Sequence, residues 1–206
     1  MKQPDAPLIA ALEEARRRGL LGPGEIPPHV EHARGFADAI GEEPESLVDL
    51  GSGGGLPGLV LAWEWSQCRI RLLEGSVRRA AFLAEAVEGL GLGDRVQVLA
   101  QRGEDAGHDA ELREQFAVAT ARSFGPPAVT AEIGAGLVRV GGALLVAEPP
   151  EPAPERWPNG APARFGLADP DFGTWRRAHF ARLRKVASAP TDVPRRTGIP
   201  EKRPRW

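Results

Sequence analysis
The chain opens with apolar positions at helical spacing and then switches to short, solid apolar runs. Between Leu8 and Leu20, the residues Leu8, Leu12 and Ala15 fall on one helical face, and Gly19 with Gly22-Pro23-Gly24 marks the end of that helix. Pro27 and Pro28 precede a second helix, about His29 to Ile40, and Gly41 to Pro44 is a turn. Strands and helices then alternate. Ser46–Leu50, Arg69–Leu73, Arg95–Leu99 and Phe116–Ala121 read as strands, with helices over Leu59 to Ser66, Ser76 to Leu90 and Ala128 to Val138. Gly141-Gly142 reads as a tight turn into a fifth strand, Ala143–Ala147. Apolar runs recurring about every 20–25 residues predict a parallel sheet buried on both faces, with helices packed on each side, an α/β fold.

The remainder is less regular. Glu148–Pro162 is dense in proline, which can neither propagate a helix nor pair in a central strand, and reads as a surface loop over the sheet edge. Ala163–Leu167 is expected to be a short strand and His179–Ala187 another, with a proline-rich basic tail after Pro190. The expected organisation is an N-terminal helical extension over residues 1–44, a core domain over 45–190 and a basic tail over 191–206.

The densest signal lies at Leu47-Val48-Asp49-Leu50-Gly51-Ser52-Gly53-Gly54-Gly55-Leu56-Pro57-Gly58. An apolar strand ends in an acid, turns through glycines and enters an apolar helix. Glycines let the backbone approach a ligand closely, and the helix points free N–H groups into the same space. This is the layout of a nucleotide-type cofactor site at the carboxyl edge of a parallel sheet. The second strand ends in Glu74, about 25 residues beyond Asp49, where a carboxylate accepts hydrogen bonds from ribose hydroxyls. Asp49 beside the glycines would repel a pyrophosphate and suits a cationic ligand. That charge favours S-adenosylmethionine, which carries an ammonium, a sulfonium and no phosphate, over a nicotinamide dinucleotide.

Composition narrows the class. A chain of 206 residues, 42% hydrophobic, fits one α/β domain with a full core. Its single cysteine, Cys68, excludes a disulfide framework and a cysteine zinc site, and the four histidines form no H-x₃-H pair, so no metal is expected. With no secretion-type opening and no apolar window of membrane-spanning length, a cytoplasmic protein is expected. The net charge of −2 conceals an asymmetry: from Arg176 to Trp206, ten basic residues face two acids, a net +8, which leaves −10 on the rest. A basic end on an acidic body suggests an anionic partner.

Taken together, the glycine run at 47–58, Leu72-Leu73-Glu74, Arg78-Arg79-x-x-Phe82-Leu83, Arg102-Gly103-Glu104, Ala119-Thr120-Ala121-Arg122 and the ending Pro194-Arg195-Arg196-Thr197-Gly198-Ile199-Pro200-Glu201-Lys202-Arg203-Pro204 resemble the RsmG (GidB) family. The resemblance runs from about His29 to the end. It implies a class I S-adenosylmethionine-dependent methyltransferase with a Rossmann-like sheet, acting on N7 of a guanine in small-subunit (16S) ribosomal RNA. It further implies that Asp49, Gly51, Gly53 and Leu56 line the methionine end of the cofactor. Glu74 would hold the ribose, Gly103 and Glu104 would lie near the adenine, and Arg122 would stand beside cofactor and target base. Arg195, Arg196, Lys202 and Arg203 would contact RNA phosphate. Three features depart from the family pattern: a short N-terminal part without its Asn-Leu-Thr stretch, Glu148 where the family has lysine, and Gly103 where it has alanine.

Guanine N7 carries no proton, so its attack on a sulfonium methyl needs no general base, and Arg122 is the one residue with a possible catalytic role. The expected partner is ribosomal RNA or the small subunit, met by a monomer. The alternatives are a divergent relative methylating another substrate, or a noncatalytic cofactor- or RNA-binding paralogue. On this reading, deleting Pro194 to Trp206 is expected to spare cofactor binding and weaken RNA binding.

Overall fold
In the computed structural model, residues 5–151 and 153–206 are described. Residues 1–4 of the expected extension and Pro152 of the proline-rich loop lie outside the described residues. The five expected core strands form as β1 (Ser46–Leu50), β2 (Arg69–Leu73), β3 (Val96–Leu99), β4 (Phe116–Ala121) and β5 (Val138–Glu148). They run parallel in the order β3-β2-β1-β4-β5, and two antiparallel strands, β7 (Ala178–Arg184) and then β6 (Asp171–Trp175), extend the sheet beyond β5.

Alternate residues of each buried strand feed two cores. Leu47 of β1 and Ile70 and Leu72 of β2 meet the face covered by α1 (Ala6–Arg17), α2 (Ile26–Ile40), α3 (Gly58–Glu64) and α4 (Val77–Gly89). Val48, Leu50, Ala119 and Leu144 meet the other face, covered by α5 (Gly103–Ala106) and α6 (Pro127–Leu137). Helix α1 buries Leu8, Leu12 and Ala15, the face its spacing predicts. In α2 the two prolines belong to the first turn, where a missing N–H costs nothing. Fully buried Phe36 and Phe180 pack edge to face with centroids 4.7 Å apart, tying α2 to β7; burying each such side chain stabilises by about 1.5–3 kcal/mol.

The second half corrects the sequence reading. No tight turn separates α6 from β5: the strand starts directly at Val138, and Gly141 and Gly142 stay inside it. Their backbone bonds to Lys185, 2.8 and 2.9 Å, continue the pairing through the glycine pair. Ala163–Leu167 is not a strand. Pro162–Phe165 winds as a 3₁₀ turn that buries Phe165, and Leu167 makes only an isolated bridge to Lys185. Strand β6, which carries glycine, an acid and exposed Phe172, has no clean alternation and was invisible to the period argument. The proline-rich loop is not purely a surface element, because Trp157 drops into the second core. Nor does the tail dangle: Val193 and Pro194 are buried and α7 (Ile199–Lys202) lies against α6. Among the described residues no helix is long and apolar enough to cross a membrane.

Candidate functional site
The glycine run crosses from β1 to α3 at the carboxyl edge of the sheet. Gly51 sits at φ +64°, and a Cβ there would stand 2.7 Å from the Phe124 ring, so backbone hand and close approach both demand glycine. The loop is anchored from the side by Glu74. One carboxylate oxygen accepts from Gly53 N at 2.9 Å and the other from Ser76 N at 2.8 Å. Each oxygen keeps a second lone pair for a ligand.

Asp49 is placed differently from the sequence reading. It has no accessible surface and lies beneath the loop, outside the cleft. Its Oδ2 accepts from Gly58 N at 3.1 Å and its Oδ1 from the Thr120 hydroxyl at 2.9 Å. The carboxylate therefore fastens α3 to β1 and β4 and cannot touch a bound cation. Burial pushes its pKa up to about 6, against the pull of Thr120, Ser52 and the Gly58 amide. Asp49 thus occupies the start of α3, where a pyrophosphate would otherwise sit.

Above the loop lies a cleft with three connected lobes. The first, about 390 Å³, lies between Glu74, Gly103 and Glu104 and the apolar side chains Leu73, Val129 and Ile133. The second, about 340 Å³, is lined by Gly51, Gly53, Leu56, His29 and Arg122. The third, about 390 Å³, holds His32, Arg122, Thr130, Glu148 and Arg156. Gly51 and Arg79 line the first two lobes, Arg122 the second and third, and Ser123 all three; Phe124 separates the first from the third. All the expected cofactor residues except Asp49 thus converge on one cleft.

Arg122 is half-buried, and desolvation lowers its pKa against the attraction of Asp49. Its Nη2 lies 2.8 Å from His29 Nδ1. A guanidinium has no acceptor, so His29 Nδ1 must accept and the imidazole proton sits on Nε2. Burial and the Arg122 charge lower the pKa of His29, and the same causes with His29 itself bring His32 to about 4. Near neutral pH both rings are uncharged, and Arg122 carries the local positive charge.

The basic tail divides into two roles. Arg195 does not face solvent for phosphate. Its Nε and Nη2 donate to Glu132 at 2.8 and 2.6 Å, and its backbone N donates as well, at 2.8 Å; Glu132 has no accessible surface. Arg196, Lys202 and Arg203 are exposed. Gly198 N donates to Glu104 at 2.9 Å, the Thr197 hydroxyl to Asp105 at 2.7 Å, and Glu201 lines the first lobe. The tail therefore forms part of a wall of the first lobe, rather than standing apart from it.

Sequence reasoning missed His29, His32, Arg79 and Phe124 as lining residues. For Phe124 the signal was present, an aromatic between the fourth strand and Gly125-Pro126-Pro127. The histidines carried none, because helical spacing alone does not say which face turns to a cleft. Glu148, the acid in place of lysine, accepts from Arg156 at 2.9 Å and from the Trp157 indole at 3.0 Å, so it holds the proline-rich loop. Trp157, Phe165, Trp175 and Trp206 are all engaged in ring packing. Among the described residues no three histidine, cysteine or acidic side chains gather as a metal site.

Comparison with known proteins agrees with the cleft. The family described as rRNA small subunit methyltransferase G matches residues 29–153. Proteins named ribosomal RNA small subunit methyltransferase G are similar to the chain over most of its length. That of Syntrophomonas wolfei is 32% identical, covering 94% of each chain. That of Rubrobacter xylanophilus is 34% identical, covering 92% of this chain and 78% of its own, and that of Dictyoglomus thermophilum 33%, covering 79% and 70%. Among solved structures, an O-methyltransferase from Bacillus cereus in complex with SAH superposes with a TM-score of 0.62 at 17% identity, covering 88% of this chain and 90% of that one. A cofactor-bound protein, Rv0187 from MTB, gives 0.60 at 19% identity with the same coverage. At those identities the structures share the fold.

Proposed function
Because the chain belongs to the rRNA small subunit methyltransferase G family, we propose that it transfers a methyl group from S-adenosylmethionine to N7 of a guanine in small-subunit ribosomal RNA. The observation that carries this reading is the convergence of the glycine loop, Glu74 and Glu104 on one cleft that continues past Arg122 into a further lobe. The cofactor fits the residues present. Glu74 offers acceptors to a ribose diol, the slot between Leu73, Val129 and Ile133 suits a flat adenine, and Gly51, Gly53 and Leu56 would take the amino-acid end. Asp49 at the start of α3 disfavours a phosphate there.

When bound, the cofactor supplies an electrophilic methyl on sulfur. The chain supplies position. Arg122, oriented by His29, stands between the donor lobes and the third lobe, where an unpaired guanine would enter. Its charge directs the electron-rich O6/N7 edge of the base inward, and Phe124 excludes water from the line of attack. Residues 45–190 are the transferase domain in this reading, 1–44 an extension that packs on it, and 191–206 the segment that closes the donor lobe. Arg196, Lys202 and Arg203 remain for RNA phosphate, and the active form is taken as a monomer.

The test is transfer of labelled methyl to small subunits, and to their free RNA, from a strain lacking this protein. One guanine modified at N7 is expected. Absence of transfer to either, with donor binding intact, overturns the RNA assignment in favour of another methyl acceptor.

A further inference from the structure
The turn between β6 and β7 holds two arginines in a conformation that ordinarily belongs to glycine and asparagine. Arg176 has φ +46° and Arg177 φ +62°, and Trp175 pairs with Ala178 across them, so a two-residue loop closes the hairpin with the hand of a type I′ turn. Left-handed backbone at a long side chain costs stability, and such strain persists where something compensates it. For Arg176 the compensation is visible: its Nε donates to Asp38 at 2.6 Å and its Nη1 to Glu31 at 2.7 Å, both on α2. Arg177 has none. It is exposed and makes no hydrogen bond or ion pair among the described residues. Asn-Gly would close the same turn without strain.

The turn also lies on the functional edge. Strand β7 runs antiparallel to β5 with His179 opposite Glu148, so Arg176 and Arg177 project past the carboxyl end of β5. Glu148 lines the third lobe, and His32, the residue after the Arg176 partner Glu31, lines it too. Two further guanidiniums, Arg122 and Arg156, border that lobe. We infer that the Arg176-Arg177 turn is an RNA-phosphate contact: Arg176 is a latch to α2, and Arg177 is the cation it holds out beside the lobe that receives the target base. The inference rests on the RNA reading above.

Arg177→Gly relieves the strain and removes the charge together, whereas Arg177→Lys keeps both, so melting temperature reads the first and RNA affinity the second. The variant is expected to melt about 2–4 °C higher than the wild type. It should bind small-subunit RNA about 3–10-fold more weakly at low salt, with the slope of log affinity against log salt smaller by about one. Its KM for RNA should rise while its Kd for S-adenosylmethionine does not change. Arg177→Lys keeps the charge and is expected to bind RNA close to the wild type. An Arg177→Gly protein with wild-type RNA affinity and salt slope overturns the inference while leaving the methyltransferase reading in place. If the wild type itself transfers no methyl to RNA and binds it no better than Arg177→Gly, both fall together.

Discussion
Arg195 and Glu132 form a bidentate ion pair, 2.8 and 2.6 Å, in which the carboxylate is wholly buried and the guanidinium is 19% exposed. The pair joins the tail to α6 on the far side of the sheet from the N-terminal helices. Glu132 raises the pKa of Arg195, so the arginine stays charged throughout the accessible range. Removing the cation leaves a buried, uncompensated carboxylate.

Arg195→Ala is therefore expected to cost about 3 kcal/mol of stability, read by urea or thermal unfolding, and to weaken donor binding through the displaced tail. Glu132→Gln should cost less than Arg195→Ala, because the group left buried is neutral and the unpaired Arg195 side chain is partly exposed. Deleting Pro194 to Trp206 should abolish donor binding. A truncated chain with wild-type donor affinity would show that the tail is not part of the wall.

Asp49 makes stability depend on pH in a direction unusual for a carboxylic acid. Its pKa is raised in the fold to about 6 from 3.8, so the proton is held more tightly in the native state than in the unfolded chain. The stabilisation is fully present below about pH 3.8 and is lost as pH rises through 6. A shift of this size amounts to about 3 kcal/mol. Asp49→Asn keeps the shape and does not titrate. Subtracting its unfolding free energy from that of the wild type between pH 4 and 7 isolates the effect: the difference should move against the wild type as pH rises, and a flat difference would contradict the assignment.

Glu74 is asked to do two things, holding Gly53 and Ser76 and receiving a ribose. Glu74→Gln retains one acceptor oxygen and loses the charge. The expected result is a 10–100-fold weaker Kd for S-adenosylmethionine by calorimetry, the size of a lost charge-assisted hydrogen bond, together with a lower melting temperature without ligand, because the amide –NH2 must face Gly53 N or Ser76 N, both donors. Unchanged affinity would place the ribose elsewhere.

His29 acts through Arg122. His29→Asn retains an acceptor near the position of Nδ1 and should keep methyl transfer close to the wild type. His29→Phe retains only a ring, and kcat/KM should fall about tenfold, with a weaker donor Kd as well because His29 lines the second lobe. Since His32 titrates near 4 against 6.5 unfolded, its stabilisation is present above pH 6.5 and fades as pH falls toward 4. His32→Phe should flatten that acid loss in a melting series.

The legible parts of this molecule were those fixed by local rules. The strands Ser46–Leu50, Arg69–Leu73 and Phe116–Ala121 have the bounds the sequence predicts: the first is buried along its whole length, the third at all but Ala117, and the second buries Ile70, Leu72 and Leu73. The glycine loop and Glu74 were legible because backbone hand and strand-end position are sequence-local. What failed depended on distant partners. Asp49 pointed inward because Thr120 and Gly58 claim both its oxygens. Arg195 looked like a free tail cation because Glu132, 63 residues earlier, sits in an apolar helix whose charge gives no hint of its partner. The β6 strand was missed because it rides on the antiparallel edge, where alternation is weak and a two-arginine turn carries no turn signal.

Glu104 accepts the Gly198 amide, and Glu201 forms part of the same wall. The first lobe is thus assembled from the middle of the chain and from residues 198–201 together. On the proposed reading, a chain interrupted before Gly198 would complete every strand of the sheet, the last of which ends at Arg184, and still lack one wall of the lobe assigned to the methyl donor.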